Sequence, residues 1–400
     1  MTKKLFHINS YKTKFKAKVL EKDSKRGKTV LILKQTCFYP HAGGQLCDTG
    51  IIEGSPVVDV QEMEKQIIHY IEGDIPVKKG DTITGEIDWH SRFDHMQQHS
   101  GQHILSALIM NDWQKETLSF HMGEEVCTID IPYTTLDEAK IEKIEEMANE
   151  IIWSNKPIYQ YYSEEDNDLT IKLRKKKKMQ EQLRVVEIPG VESTACGGTH
   201  CNNTAEIAII KVIGWENRKD KSRISFLCGH RAFSDYQNKH RITKNLSKFF
   251  TTGINQLEEK VVQATMELKT LNKEYRKLEK ELTNYHAQEL RNNYFYKKKD
   301  YLVISRLFEE KPESILRQMS LILINEYKCF VVLAAKKPQP VITLACTKEL
   351  DINAGELMKQ ILSEFNGTGG GSKFWAAGRL NKDDDVLKSF EQLAQLVLSK

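Results

Sequence analysis

Two pairs of metal-ligating side chains constrain this chain more than anything else in it. They are His99 and His103, within His99-Ser-Gly-Gln-His103, and Cys196 and His200, within Cys196-Gly-Gly-Thr-His200. In a helix, residues i and i+4 share a face, so both imidazoles of the first pair can point at one ion. Two glycines sit between the members of the second pair, which suits a tight loop whose backbone wraps close to a metal. One thiolate and three imidazoles make a donor set for Zn²⁺, one ion per chain, because zinc takes sulfur and nitrogen together. A lone H-x-x-x-H recurs by chance on helix surfaces, and the C-x-x-x-H is what gives it weight. His95, one turn before His99 on the same face, is a competing ligand. H-E-x-x-H is absent, and with it the glutamate base of a metalloprotease.

The 400 residues, 40% hydrophobic and 28% charged, leave room for two or three domains. No apolar run reaches membrane-spanning length and the N-terminus lacks a secretory signal, so no membrane partner is expected and the expected compartment is the cytoplasm. Eight cysteines without a disulfide-like spacing agree with reducing surroundings. Lys+Arg 59 against Asp+Glu 55 gives a net charge of +4, which excludes a globally basic nucleic-acid binder. Any nucleic-acid surface must be local. The candidates are the run 172–178 with Lys175, Lys176 and Lys177, the run 218–223, and the run 297–299. Each alone is more often a solvated face. The first leads into the segment carrying Cys196.

The patterning predicts an α+β multidomain chain. Residues 1–90 alternate apolar and polar positions, as in Phe15 to Val19, carry the apolar run Val30 to Leu33 and are punctuated by glycines, which reads as a small β-barrel-like domain. Residues 91–245 read as an α+β zinc-binding domain. Its helix begins about Arg92 with an apolar stripe of Ile104, Leu105, Leu108 and Ile109, a second helix covers about 136–155 after Thr134 and Thr135, and strands cover 184–188 and 205–213. Residues 246–293 read as a coiled-coil helix, because Ile254, Leu257, Val261, Ala264, Leu268, Leu271, Tyr275, Leu278, Leu282 and Tyr285 fall at alternating steps of three and four between charged residues. Residues 294–400 form a separate α/β domain with buried-strand runs at 301–304, 328–335 and 341–345. Near its end a glycine-rich turn, Asn366 to Gly371 with Gly369, Gly370 and Gly371, is followed by Lys373, Phe374 and Trp375. Such a turn lets a phosphate approach closely, but it fits neither the Walker A nor the dinucleotide spacing.

Taken together, the segment Phe38-Tyr39-Pro40-His41-Ala42-Gly43-Gly44-Gln45-Leu46-Cys47-Asp48-Thr49-Gly50, the His99/His103 pair and the Cys196/His200 loop resemble the editing domain of alanyl-tRNA synthetase. The heptads and the glycine-rich end resemble the synthetase's C-terminal (DHHA1) module. The resemblance runs from about residue 5 to residue 400 and leaves no room for an aminoacylation domain, so the chain is similar to the long form of the freestanding alanyl-tRNA editing proteins, the AlaX group.

The resemblance implies a zinc-dependent aminoacyl-tRNA deacylase acting in trans on tRNA(Ala) mischarged with serine or glycine while sparing alanyl-tRNA(Ala). It implies His99, His103, Cys196 and His200 as zinc ligands, Gln45 and Thr36 as catalytic-pocket residues, and Thr36 as a contact for the serine hydroxyl. The backbone at Gly43, Gly44, Gly197, Gly198 and Thr199 would line the substrate and supply N–H donors to an oxyanion. Lys175 to Lys177, Gly369 to Gly371 and Lys373 would meet RNA, and the coiled coil and C-terminal domain would join two copies into a homodimer. Gln102, and His41-Ala42 in place of the frequent Glu-Ser, depart from common synthetase versions and bear on serine against glycine. A different class of reading is a non-catalytic, tRNA-binding dimeric scaffold with a structural zinc, since four protein ligands describe a closed site. A phosphoesterase reading lacks its Asp-His-His signature.

Overall fold

The computed structural model describes residues 1–25, 27–163, 183–298 and 300–399. It divides into two compact units, Met1–Leu246 and Ser247–Lys400. The first opens with β1 (Lys3–Lys4) and a helical turn, α1 (Leu5–Ile8). A closed barrel follows, made of β2 (Lys14–Lys25), β3 (Lys28–Leu33), β5 (Gly50–Ile52), β6 (Ser55–Met63), β7 (Gln66–Glu72) and β8 (Thr82–Ile87) in the order β2-β3-β7-β6-β5-β8. The short β4 (Gln35–Thr36) leaves the barrel to pair with β1. Period-two alternation sets the barrel's two surfaces: Phe15, Ala17 and Val19 point inward with Leu31, Leu33, Ile52 and Ile71, while Lys14, Lys16 and Lys18 point out. Gly85 is required here, because a Cβ on it would lie 2.6 Å from the Phe15 ring.

Helix α2 (Trp89–Trp113) leaves the barrel. It begins three residues before the expected Arg92, because Asp88 caps it by accepting from the backbone N–H of His90 and Ser91. Every residue from His95 to Ile109 is buried, so the helix runs through the centre of the unit with no solvent face. Around it lie a four-stranded sheet, β14-β15-β10-β9, built from β9 (Ser119–Met122), β10 (Cys127–Ile131), β14 (Ile210–Asn217) and β15 (Ser222–Cys228), and the helix α3 (Glu138–Trp153). Asp137 rather than Thr134 or Thr135 caps α3. A three-stranded sheet, β11 (Tyr159–Ser163), β12 (Leu183–Ile188) and β13 (Glu192–Ala195), delivers the chain to Cys196. The expected strand at 205–213 is instead a 3-10 turn, Thr204–Ile207, followed by β14. Helix α4 (Gly229–Phe249) closes the unit.

In the second unit α5 (Leu257–Asn293) is one 37-residue helix, about 55 Å long at 1.5 Å per residue. Its heptad residues Leu268, Leu271, Leu278 and Leu282 are 56–63% exposed, whereas Thr283, Ala287 and Leu290 near its end are buried. The rest is a six-stranded sheet, β16-β17-β18-β19-β21-β20, made of β16 (Phe295–Lys298), β17 (Tyr301–Glu310), β18 (Cys329–Lys337), β19 (Val341–Cys346), β20 (Thr368–Gly371) and β21 (Trp375–Arg379). It is flanked by α6 (Glu313–Glu326), α7 (Ala354–Glu364) and α8 (Asp383–Ser399). The glycine run is therefore an edge strand and not a turn. A Cβ on Gly369 or Gly371 would lie 2.2 Å from a carbonyl oxygen of β21, so only glycine allows this pairing. Among the described residues no helix is long and apolar enough to cross a membrane.

Candidate metal centre

His99 and His103 project from one face of α2 into the loop that follows β13, where Cys196 and His200 meet them. One ligand atom from each of the four lies within 4.8 Å of the others. The Cys196 Sγ is 3.5 Å from His99 Nε2 and 3.3 Å from His200 Nε2. A tetrahedral ion with Zn–S near 2.3 Å and Zn–N near 2.0–2.1 Å separates its sulfur and nitrogen ligands by about 3.5 Å, so the cluster fits zinc. His95 stands outside it; it is 6% exposed and its Nδ1 has no partner among the described residues.

What aims the three imidazoles is the second nitrogen of each ring. His99 Nδ1 donates to Gln45 Oε1 at 2.8 Å, His103 Nδ1 to Glu192 Oε2 at 2.9 Å, and His200 Nδ1 lies 3.5 Å from Ser100 Oγ. All three Nε2 atoms are thereby turned to one point, the arrangement by which outer partners fix tautomer and ring orientation in metal sites. Burial opposes charge on Cys196, yet the imidazoles of His99 and His200 beside it and hydrogen bonds from His103 and His200 hold its thiol well below the ordinary range. Burial is the largest influence on His103 and pulls it down, but the Glu192 carboxylate and the Cys196 sulfur together outweigh it and raise the imidazole to about 9. His200, buried beside His99, is pushed well down.

The loop geometry explains its glycines. A Cβ on Gly198 would sit 2.2 Å from His99 Cε1, whereas at Gly197 nothing lies within 4 Å. Gly198 N–H donates to Cys196 Sγ and Thr199 N–H to Gln45 Oε1, so these two donors serve the ligands and are not open to an oxyanion. Arg184 braces the loop, donating to the carbonyls of Cys196 and Gly198, both at 2.9 Å.

Gln45 reaches the centre because Ala42 and Gln45 exchange both backbone hydrogen bonds across Gly43 (φ 61°) and Gly44 (φ 85°), a two-residue turn that needs positive φ at both positions. Gln45 is fully buried, and its Nε2 also donates to Thr199 Oγ1 at 2.8 Å. Thr36, also fully buried, bonds away from the cluster: its hydroxyl bonds His69 Nε2 at 2.8 Å and accepts from Phe38 N–H at 3.0 Å. His69 donates from Nδ1 to Leu31 O, and burial lowers it to about 4, so it is neutral and takes the Thr36 proton. Gln102 is spent on Ser106 Oγ at 2.6 Å.

Sequence reasoning missed several residues. Arg92 and Asp48, both with fully buried side chains, form a bidentate pair that ties α2 to the glycine-rich segment, and Arg92 also donates to Ser10 O and Cys37 O. His7 bonds Gly197 O and the Tyr162 hydroxyl, each at 2.9 Å, and burial lowers it to about 4. Glu192 could have been found as the only acidic residue within ten positions before Cys196 apart from Glu187. Of the RNA candidates, Lys175, Lys176 and Lys177 lie outside the described residues. Arg218 is paired with Glu216, and Lys221 and Arg223 with Asp130. Gly369, Gly370, Gly371 and Lys373 belong to the second unit.

Residues 2–91 match the family of class II (A) tRNA synthetases, and residues 183–225 the threonyl and alanyl tRNA synthetase second additional domain. The chain is 28% identical over 389 residues to the alanyl-tRNA editing protein AlaX-L of Pyrococcus horikoshii, covering 95% of each. It is 29% identical over 410 residues to the alanine–tRNA ligase of Pyrococcus abyssi, of which it spans 43%. To the alanyl-tRNA editing protein Aarsd1 of Danio rerio it is 30% identical over 245 residues, 60% of this chain and 59% of that one.

Proposed function

We propose that this chain, which resembles a freestanding alanyl-tRNA editing protein over 95% of its length, is a zinc-dependent hydrolase that removes serine, and also glycine, from mischarged tRNA(Ala) in trans and spares alanyl-tRNA(Ala). The observation that carries the reading is the cluster of His99, His103, Cys196 and His200, its three imidazoles each anchored through Nδ1. Bound there, zinc would supply a Lewis acid for the ester carbonyl or for the attacking water. The chain's own residues do the rest. Gln45, Glu192 and Ser100 hold the ligand rings, and Arg184 and His7 hold the loop that carries Cys196. In the reaction the water oxygen bonds the carbonyl carbon, the acyl–oxygen bond to the terminal ribose breaks, and the ribose oxygen takes a proton.

Sparing alanine requires polar groups that stay unpaired when no side-chain hydroxyl is present, which discriminates by about 10⁴–10⁵ where an apolar sieve achieves far less. With its proton on His69 and one lone pair on Phe38 N–H, Thr36 keeps a lone pair that would accept from a serine hydroxyl. Gln45 keeps an amide hydrogen. The exposed seam of α5 supports pairing with the same helix of a second copy, and the glycine edge strand with Lys373 supports contact with the outer corner of the tRNA.

One observation favours a second reading: all four ligands come from the protein, as in structural zinc sites. Incubating the protein with seryl-, glycyl- and alanyl-tRNA(Ala), with and without a chelator, separates the two. Release of serine with alanine retained, abolished by the chelator, supports the hydrolase; tRNA binding with no ester lost supports the scaffold.

A further inference from the structure

The first residues of the barrel carry a feature that neither the metal centre nor the runs of basic sequence absorbs. Lys12, Lys14, Lys16 and Lys18 stand at every second position, all exposed, with the buried Phe15 and Ala17 between them. Alternate side chains on a strand share a face about 6.8 Å apart, so Lys14, Lys16 and Lys18 of β2 form a straight basic row about 14 Å long, and Lys12, two residues before the strand, leads into it. Register adds a fifth: Val19 pairs with Leu33, which sets exposed Lys34 opposite Lys18. Among the described residues only Lys14 of these has an acidic partner, Glu86 at 3.2 Å, in an exposed pair that screens little. Lys12, Lys16, Lys18 and Lys34 have none among the described residues.

Two further facts separate the row from an ordinary solvated face. A groove of about 510 Å³ runs beside it, its lining including Lys12, Lys14 and Lys16 together with Thr84 and two carboxylates, Glu53 and Glu86, the first bonded to Thr84 and the second paired with Lys14. The row also begins near the metal loop. His7 bonds Gly197 O, next to Cys196, and five residues span at most about 18 Å, so Lys12 lies within reach of the loop. Between them Tyr11 holds Asn202 N–H through its hydroxyl and packs on Trp89 at 5.3 Å, which fixes the path.

We propose that the outer face of β2, with the residues that lead into it, docks the phosphate backbone of the RNA end that carries the ester, with Lys12, Lys16 and Lys18 neutralising phosphates along it. The identity of the RNA rests on the proposed function; the polyanion-binding face rests on the lysines. A regular row of cations along an open groove, with only Lys14 paired among the described residues, matches a chain of evenly spaced phosphates better than it matches a folded acidic protein.

The test compares Lys12→Gln/Lys16→Gln with Lys25→Gln/Lys28→Gln. The second removes the same charge from the far end of the β2–β3 hairpin, about 30 Å along the strand. Uncharged tRNA(Ala) binding is measured from 50 to 200 mM salt, alongside kcat and KM on seryl-tRNA(Ala). The first variant should lessen the slope of log K against log salt by about 2, one per phosphate contact, and raise KM with kcat kept. The second should match wild type. An unchanged slope in the first variant, or an equal loss in both, overturns the proposal even if hydrolysis is intact. A slope loss confined to the first variant in a protein that hydrolyses nothing sustains the RNA face and sinks the hydrolase reading instead.

Discussion

At the scale of single residues, the four ligands were legible because their types and spacing carry their chemistry, whereas their supports were not. Gln45 is 54 residues from His99, and Glu192 is 89 from His103, so no local pattern links them. Replacing Glu192 with Gln should weaken zinc binding by about 10–100-fold, the usual cost of losing such a partner, as read by competition with a chromophoric chelator. Gln45→Ala should do the same through His99 while circular dichroism stays native. His69 gives a pH signature. Its neutral form is kept down to about pH 4 in the fold, whereas an unfolded histidine takes its proton near 6.5. The unfolded state therefore binds more protons as pH falls through this window, and stability present above pH 6.5 is lost toward pH 4, by up to about 3 kcal/mol. Urea unfolding at pH 7 and pH 4.5 should reveal the loss, and His69→Phe should diminish it.

At the scale of elements, sequence patterns succeeded where an element has one buried face and misled where it has two or none. Helix α2 is buried along its middle on every side, so the stripe of Ile104, Leu105, Leu108 and Ile109 was only part of its contact surface. Its start was hidden because the Asp88 cap precedes the apolar pattern. The glycine run 368–371 looked like a turn because a strand that touches its neighbour backbone to backbone has no side-chain pattern to read. What joins α2 to the barrel is Arg92 on Asp48, and Arg92→Met should cost about 3–5 kcal/mol in urea unfolding by leaving Asp48 buried and unpaired. On α5 the seam is both legible and exposed. Leu271→Lys with Leu278→Lys should leave helix content unchanged and halve the mass seen by sedimentation.

At the scale of the whole molecule, the mixed α+β class followed from alternating strands before Trp89 and helical spacing after it. Helix α4 runs across the division between the two units at Leu246. The centre assembles only when the barrel, the central helix and the β13 loop are in place together, since each gives it a ligand or a ligand's support. The central claim is that one zinc in this cluster makes the chain an ester hydrolase. Metal-free protein should be titrated with zinc while the initial rate of serine release from seryl-tRNA(Ala) is followed. The account predicts a rate that rises linearly and breaks at one equivalent per chain. Zinc bound at one equivalent with a rate that stays at the uncatalysed level throughout would contradict it.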